Sequence, residues 1–316
     1  MKAAQSTQID PSKKPKGNRE KRRTALAAYF FVSPFFILFL IFGLFPMVFS
    51  FYLAFFRWDG LGEMTYVGLA NFQFIFNDPV FYSSILNTFI IGLLGTLPQI
   101  IFAILIAFAL NSALIKFRNT FRTIIFLPYI TSVVAVAIIF GVVFNNQPFG
   151  FVNYLLSLAD IEPIRWNAEY WPVKIAIATM VFWRWVGYNT IIFLAGMQSI
   201  PKELYEAAKI DGATISQQIR LITLPMLKPI TLFVVFTATI GSLQLFTEPL
   251  IFLGRNLREE GITMVAYLWR DAFVYNSFGT ASAAAIALFF IIIVLTVVNL
   301  LITSRMGRSK KSRIGG

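Results

Sequence analysis

Six stretches of the chain stay apolar for longer than a globular core helix needs, with polar links between them. They run over roughly 25–55, 84–111, 121–144, 172–198, 228–253 and 279–304. A hydrocarbon layer about 30 Å thick is crossed by about 20 helical residues, so each run predicts a membrane-spanning helix. Two further stretches, 149–160 (FGFVNYLLSLAD) and 262–275 (ITMVAYLWRDAFVY), are amphipathic and predict short helices at a membrane surface. They read as an aromatic belt or as a docking rim for an external partner. Trp58-Asp59-Gly60-Leu61-Gly62 predicts a turn, and residues 67–72 (VGLANF) open a short amphipathic stretch ahead of the second run. The expected fold class is an all-α membrane protein with six transmembrane helices.

One polar link is longer and more ordered than a loop requires. Residues 199–225 read SIPKELYEAAKIDGATISQQIRLITLP. Pro201 suits a first helical turn, and Glu203 and Glu206 lie near the positive end of that helix's dipole. Asp211-Gly212 supplies a stop, because glycine accepts the left-handed conformation that ends helices. Thr214-Ile215-Ser216-Gln217 fits a capping box that starts a second helix, and Pro225 disturbs its later bonding. The expectation is helix, sharp turn, helix. Leu204, Ala207, Ala208 and Asp211 then share one face by their spacing. Two alanines there admit a close backbone, and the glutamates beside them suit a partner's arginine.

Charge gives the runs a direction. The segments 1–24, 112–120, 199–227 and 305–316, with Arg122 and Lys228, hold 20 of the 27 Lys and Arg. The opposite links, counted with Lys174 at the outer end of its run, hold six, and one, Arg184, falls deep inside a run. By the positive-inside rule both termini and the 199–225 segment are cytoplasmic. The chain divides into a basic tail (1–24), a first helix with its outer link (25–83), a core with its embedded link (84–304) and a second basic tail (305–316). The tails read as topology signals that touch anionic lipid, so the net charge of +12 does not call for nucleic acid. With 57% hydrophobic residues, 13% charged residues and a mean hydropathy of +0.71, the composition is that of a membrane protein.

There are no cysteines and no histidines, which removes disulfides, thiol nucleophiles and imidazole metal sites. No GxxxxGK[ST] phosphate cradle occurs. The acids are scattered, so neither a metal site nor a catalytic set is expected. Glycine and proline interrupt the runs at Pro34, Pro46, Pro98, Pro128 and Gly241. In a membrane such breaks survive where neighbouring helices or a cavity satisfy the backbone.

Glu206-Ala207-Ala208, then Gly212, then Ile222-x-Leu224-Pro225 resembles the EAA loop of ATP-binding-cassette importer permeases. With 195–205, 210–213 and the VGLxNF-like 67–72, it is similar to the carbohydrate branch of that family, over roughly 30–304. The resemblance implies the type I importer permease fold and a subunit that is not an enzyme, in a bacterial or archaeal cytoplasmic membrane. It implies a second related permease, two cytoplasmic ATPases that bind the ATP and magnesium, an extracytoplasmic solute-binding protein and a sugar cargo. The chain looks more like the first of two permeases encoded together. Glu203, Glu206, Ala207, Ala208, Asp211, Gly212, Leu224 and Pro225 are the expected ATPase-coupling residues. One departure falls at Gly254-Arg255-Asn256-Leu257, where many relatives have a glycine-glycine-proline run.

In the sugar permeases that this chain resembles, the helices on either side of that loop hold the cargo, and the resemblance implies the same here. Val181, Arg184, Trp185 and Tyr188 share one face of the earlier helix by their spacing of 3, 4 and 7. Gly241, Ser242, Leu245 and Glu248 form a similar face on the later one, with Gln244 at its edge. An arginine at mid-membrane costs about 2.5–3.5 kcal/mol, so Arg184 is expected to face a cavity or a partner. It lies about 18 Å along its helix from Pro172, and Glu248 about 30 Å along its own from Lys228. Those depths argue against a simple ion pair between them unless the helices tilt. Helix packing alone is the rival reading of these residues. An ion-coupled secondary transporter is the alternative function, but that class needs buried protonatable groups, and the runs hold one acid and no histidine.

Overall fold

In the computed structural model the described residues are 18–111, 116–254 and 257–308. Arg255, Asn256 and most of the two basic tails lie outside them. The chain divides into two compact units, Met1–Tyr52 and Leu53–Gly316. In the first, α1 (Asn18–Phe39) passes through a π-helical turn (Leu40–Leu44) into α2 (Phe45–Leu53). Pro46 has no N–H for the carbonyl of Phe42, and the widened turn sits at that position. Leu26, Phe30, Phe31, Phe35, Phe42 and Phe45 are exposed, as in a helix that meets lipid or another chain.

The second unit opens with a two-residue hairpin, β1 (Phe56–Arg57) against β2 (Thr65–Tyr66), an addition to the all-helical expectation. Its turn carries left-handed Gly60 and Gly62, and the Asp59 carboxylate accepts the N–H of Leu61 at 2.9 Å. Next come α3 (Ala70–Asn77) and α4 (Pro79–Asn111), α5 (Arg118–Ile130), α6 (Val133–Val143), α7 (Phe151–Ser157) and α8 (Tyr170–Gln198). Then follow α9 (Lys202–Ile210), α10 (Ile215–Gln218), a π turn (Ile219–Thr223), α11 (Leu224–Met226) and α12 (Lys228–Leu243). The last are α13 (Thr247–Leu253), α14 (Met264–Phe273) and α15 (Phe278–Arg308).

Among the described residues five helical stretches are long and apolar enough to cross a membrane, and a sixth is bent. The run over 121–144 is not one straight helix: α5 and α6 meet at 93°. Pro128 is not the cause, since it sits inside α5; Thr131 and Ser132 take extended backbone instead. The run over 228–253 is also interrupted. It stops at Leu243 and restarts at Thr247, and the Thr263 hydroxyl donates to the Leu245 carbonyl in the gap at 2.7 Å.

The unit is built on α4 against α8. Most buried positions of α4 are small or polar and form a stripe at helical spacing, Ser84, Thr88, Gly92, Gly95, Gln99, Ala103 and Ala107, with Phe81, Asn87, Ile91 and Leu110 buried beside it. Its leucines at 86, 93, 94, 97 and 105 point outward and are exposed. Without a hydrophobic drive between helices in lipid, small residues win the contact because they let backbones approach. A Cβ on Gly95 would stand 3.1 Å from the Ala178 carbonyl, which shows how close the two helices lie. Farther along, Ala103, Ala107 and Leu110 pack with Phe193, Met197, Leu227 and Val234.

The surface stretches are more integrated than a belt. Tyr267 of α14 is fully buried and donates to the Asp78 carboxylate at 2.8 Å. Asn153 of α7 saturates its amide, donating to the carbonyls of Asn145, Gln147 and Ile164 and accepting from the Ile164 N–H and the Trp166 indole. Asn71 of the VGLANF stretch donates to the carbonyls of Ala54 and Phe56, both at 2.9 Å. That part of the motif is structural.

Candidate functional site

The 199–226 segment is written in local bonds. Gly212 has φ +76°, the N–H of Ala213 reaches the Ala208 carbonyl at 2.8 Å, and that of Gly212 reaches Lys209 at 3.1 Å. This pair of bonds is the Schellman termination, which needs a left-handed residue at that position. Thr214 and Gln217 then form the reciprocal capping box, Thr214 N–H to Gln217 Oε1 at 2.8 Å and Gln217 N–H to Thr214 Oγ1 at 3.3 Å. Before Pro225 the helix widens over Ile219–Thr223, with the Leu224 N–H bonding five residues back to Ile219. As at Pro46, the missing N–H falls opposite the middle of the π turn. The Tyr205 hydroxyl meets Thr223 Oγ1 at 2.9 Å and ties α9 to the second helix.

Outward, this segment is open. Glu203, Glu206, Ala207, Asp211, Gly212, Leu224 and Pro225 are exposed, and Ala208 is half-buried. Leu204, Ile210, Ile215, Leu221 and Met226 are exposed as well. The segment thus presents an exposed apolar face with two carboxylates along one margin.

Between the spans lies a cavity of about 220 Å³. From α8 it takes Val181, Trp185, Tyr188 and Asn189; from α12 and the gap after it, Thr237, Ala238, Gly241, Ser242 and Leu245. Thr96 and Gln99 of α4 and Tyr129 of α5 complete the lining. Tyr129 stacks on Tyr188 with centroids 4.4 Å apart, and Trp185 stands edge-on to both, at 5.2 Å from Tyr129 and 5.7 Å from Tyr188. The wall is therefore a three-ring aromatic cluster, opposed by hydroxyls and amides.

Close backbone approach sets its shape. A Cβ on Gly187 would fall 1.7 Å from the Ile125 carbonyl oxygen, so α5 leans on α8 where only glycine fits, and this carries Tyr129 to the wall. A Cβ on Gly92 would sit 3.0 Å from Ser242. Gly241, by contrast, has nothing within 4 Å of its Cβ position, being open to the cavity.

Six of the residues expected along the path do line the cavity: Val181, Trp185, Tyr188, Gly241, Ser242 and Leu245. Gln244, Arg184 and Glu248 do not. The expectation that depth keeps Arg184 and Glu248 apart is overturned: Arg184 Nη1 lies 3.3 Å from Glu248 Oε1. Unbroken helical rise from Lys228 would hold Glu248 away, but α12 stops at Leu243 and the chain turns before α13 begins. A long arginine side chain spans what remains. Thr96, Gln99 and Tyr129 come from other helices and are not legible in the spacing, whereas Asn189, four after Trp185, and Thr237 and Ala238, four before Gly241 and Ser242, continue the two expected faces and are missing from the expected set although the same spacing reaches them. A polar residue on the small-residue stripe of α4 is the available signal for Gln99.

A family model described as "Binding-protein-dependent transport system inner membrane component" matches residues 99–308. The chain is 36% identical, over 87% of its length and 87% of the relative's, to the arabinooligosaccharides transport system permease protein AraP of Bacillus subtilis. It is 34% identical over 89% of its length to the lactose transport system permease protein LacF of Rhizobium radiobacter, covering 94% of that protein. A crystal structure of a bacterial ABC transporter involved in the import of the acidic polysaccharide alginate superposes with a TM-score of 0.80 at 26% identity, over 91% of this chain and 98% of that one. This chain belongs to the family of inner-membrane components of binding-protein-dependent transport systems, and it is a multi-span permease subunit with the type I importer fold.

Proposed function

We propose that this chain supplies half of the translocation path of an ATP-driven importer for a sugar or oligosaccharide. The aromatic-walled cavity carries the reading. A saccharide presents C–H faces ringed by hydroxyls, and stacked rings opposite amides and hydroxyls suit both. Relatives named for arabinooligosaccharides and lactose support the same cargo class. So does a similar chain from a transporter described in complex with an alginate pentasaccharide-bound periplasmic protein (TM-score 0.75, 28% identity).

A second, related permease completes the path. Two cytoplasmic ATPases, which hold the ATP and magnesium, dock on the 199–225 segment through Leu204, Ala207 and Ala208, with Glu203 and Glu206 along one margin of that face. Gly212 sets the angle between the two short helices, and closure of the ATPases moves α8 and α12 through it. An external binding protein delivers cargo at the opposite end, beside α7 and α14. Both termini lie in the cytoplasm in this reading, which the 20-to-6 division of basic residues supports.

Reconstitution of the importer in proteoliposomes, with radiolabelled lactose and arabinotriose in the external buffer, tests the reading. Uptake should require both ATP and the binding protein. Uptake that persists without ATP, driven by an ion gradient, would replace this reading with a secondary carrier.

A further inference from the structure

No charged side chain lines the cavity, yet one stands beside it. Arg184 sits on α8 between Val181 and Tyr188, on the stripe that faces the cavity. Its guanidinium turns to Glu248, and its carbon lies 5.6 Å from the centre of the Trp185 ring. The Arg184 side chain is 17% exposed and that of Glu248 6% exposed. Glu248 lies in the first turn of α13, where the helix dipole favours a carboxylate, and the helix break at 244–246 puts that turn within reach of Arg184.

A buried ion pair is a poor source of stability, because desolvation of two charges offsets their attraction and apolar residues of similar volume do as well. The pair does have an electrostatic consequence at the cavity. Paired, the two charges cancel for anything inside it. Unpaired, Arg184 would present a cation to the cavity through a medium of low polarity, where it attracts carboxylates strongly. The Arg184 Nε is buried and has no hydrogen-bond partner, so the guanidinium keeps unused donor capacity toward an anion.

We propose that the cavity takes an uncharged saccharide, and that Glu248 is the specificity-determining residue that keeps it so by holding Arg184. This rests on the reading of the cavity as the sugar path. Glu248 acts here as a positioning residue: it touches no cargo and decides what charge Arg184 shows. The aromatic wall binds neutral and acidic sugars alike; the ion pair discriminates between them.

The chain has no cysteine, so Gly241→Cys places a single thiol of this subunit in the cavity, in open space. The assembled importer in nanodiscs is treated with a methanethiosulfonate reagent and labelling of this chain is read by mass spectrometry. Maltotriose, lactose and arabinotriose are the neutral protectants, and trigalacturonate the acidic one. In the Gly241→Cys protein a neutral saccharide should slow labelling and trigalacturonate should not. Adding Glu248→Gln should let trigalacturonate protect at concentrations roughly tenfold lower or better, the scale of one charge-assisted hydrogen bond. Glu248→Asp should keep the neutral preference, and Arg184→Gln with Glu248→Gln should restore it, which separates charge from folding damage. Equal protection by trigalacturonate in the parent, or no gain with Glu248→Gln, overturns the charge selection alone. Failure of all three neutral saccharides to protect the introduced thiol, while the reagent still labels it, overturns the cavity reading beneath it.

Discussion

The 199–226 segment and the cavity are built in opposite ways. In the segment the bonds that start, stop and widen its helices join residues within five positions, at the Schellman pair of Gly212, the Thr214–Gln217 box and the π turn before Pro225, and one longer contact, Tyr205 to Thr223, joins the two halves. The cavity takes its walls from α4, α5, α8 and α12, and its geometry depends on places where one backbone touches another. Local bonds hold a shape whatever surrounds it, which suits an exposed element that meets a partner. A wall shared by four helices changes when any of them shifts, which suits a site that has to open and close.

If that contrast is right, damage at the two places takes different forms. The largest effect should come from Gly187→Leu, which drives a side chain into the Ile125 backbone. It should displace α5 at a cost of about 3 kcal/mol or more, lower the melting temperature in detergent and abolish uptake. Gly241→Leu, facing open space, should leave the melting temperature near wild type and still block uptake by filling the cavity. A stable Gly187→Leu protein with normal transport would remove the close approach from the account.

Gly212→Val should cost about 1–2 kcal/mol in backbone strain, all of it local. The protein should insert and melt normally but lose sugar-stimulated ATP hydrolysis, as should Glu206→Lys, which replaces attraction to a partner's arginine with repulsion. Normal ATPase stimulation in both variants would strip the segment of its coupling role.

The smallest effect lies outside the spans, at α14. Burial raises the Asp271 carboxyl to about 6 from 3.8, with Asp78 adding to the rise and the neighbouring Arg270 opposing it. Folding therefore favours the protonated acid. Stability should be greatest below about pH 4, decline as pH rises towards about 6 and level off above it. Asp271→Asn should flatten melting temperature across that window; an unchanged slope would place its origin elsewhere.

What can be read in the sequence follows the same division. The helix, turn and second helix of 199–225 are legible because Gly212, Thr214, Gln217 and Pro225 each act on their own neighbours. The spans are legible as hydropathy, but their breaks are not. Thr131 and Ser132 carry no strong turn signal, whereas Pro128 does and yet lies inside α5. The half of the cavity on α8 follows from helical spacing at 181, 185 and 188. Tyr129 does not, because its place at the wall depends on Gly187, far later in the chain, admitting the helix that carries it. The buried stripe of α4 is hidden for another reason: in lipid the small and polar residues face inward, so hydrophobicity points the wrong way. The Arg184–Glu248 pair is hidden because a constant rise per residue does not hold across a break in the helix.

The proposed passage of cargo beside the aromatic wall can be tested directly, by contact. A photoreactive amino acid at position 188, or at position 182 on the groove at the other side of α8, is introduced into the complete importer, which is supplied with binding protein, a labelled neutral saccharide and ATP. Irradiation during turnover should attach the saccharide to residue 188 and leave residue 182 unlabelled. Labelling at 182 with none at 188, in an importer that still turns over, would contradict the claim.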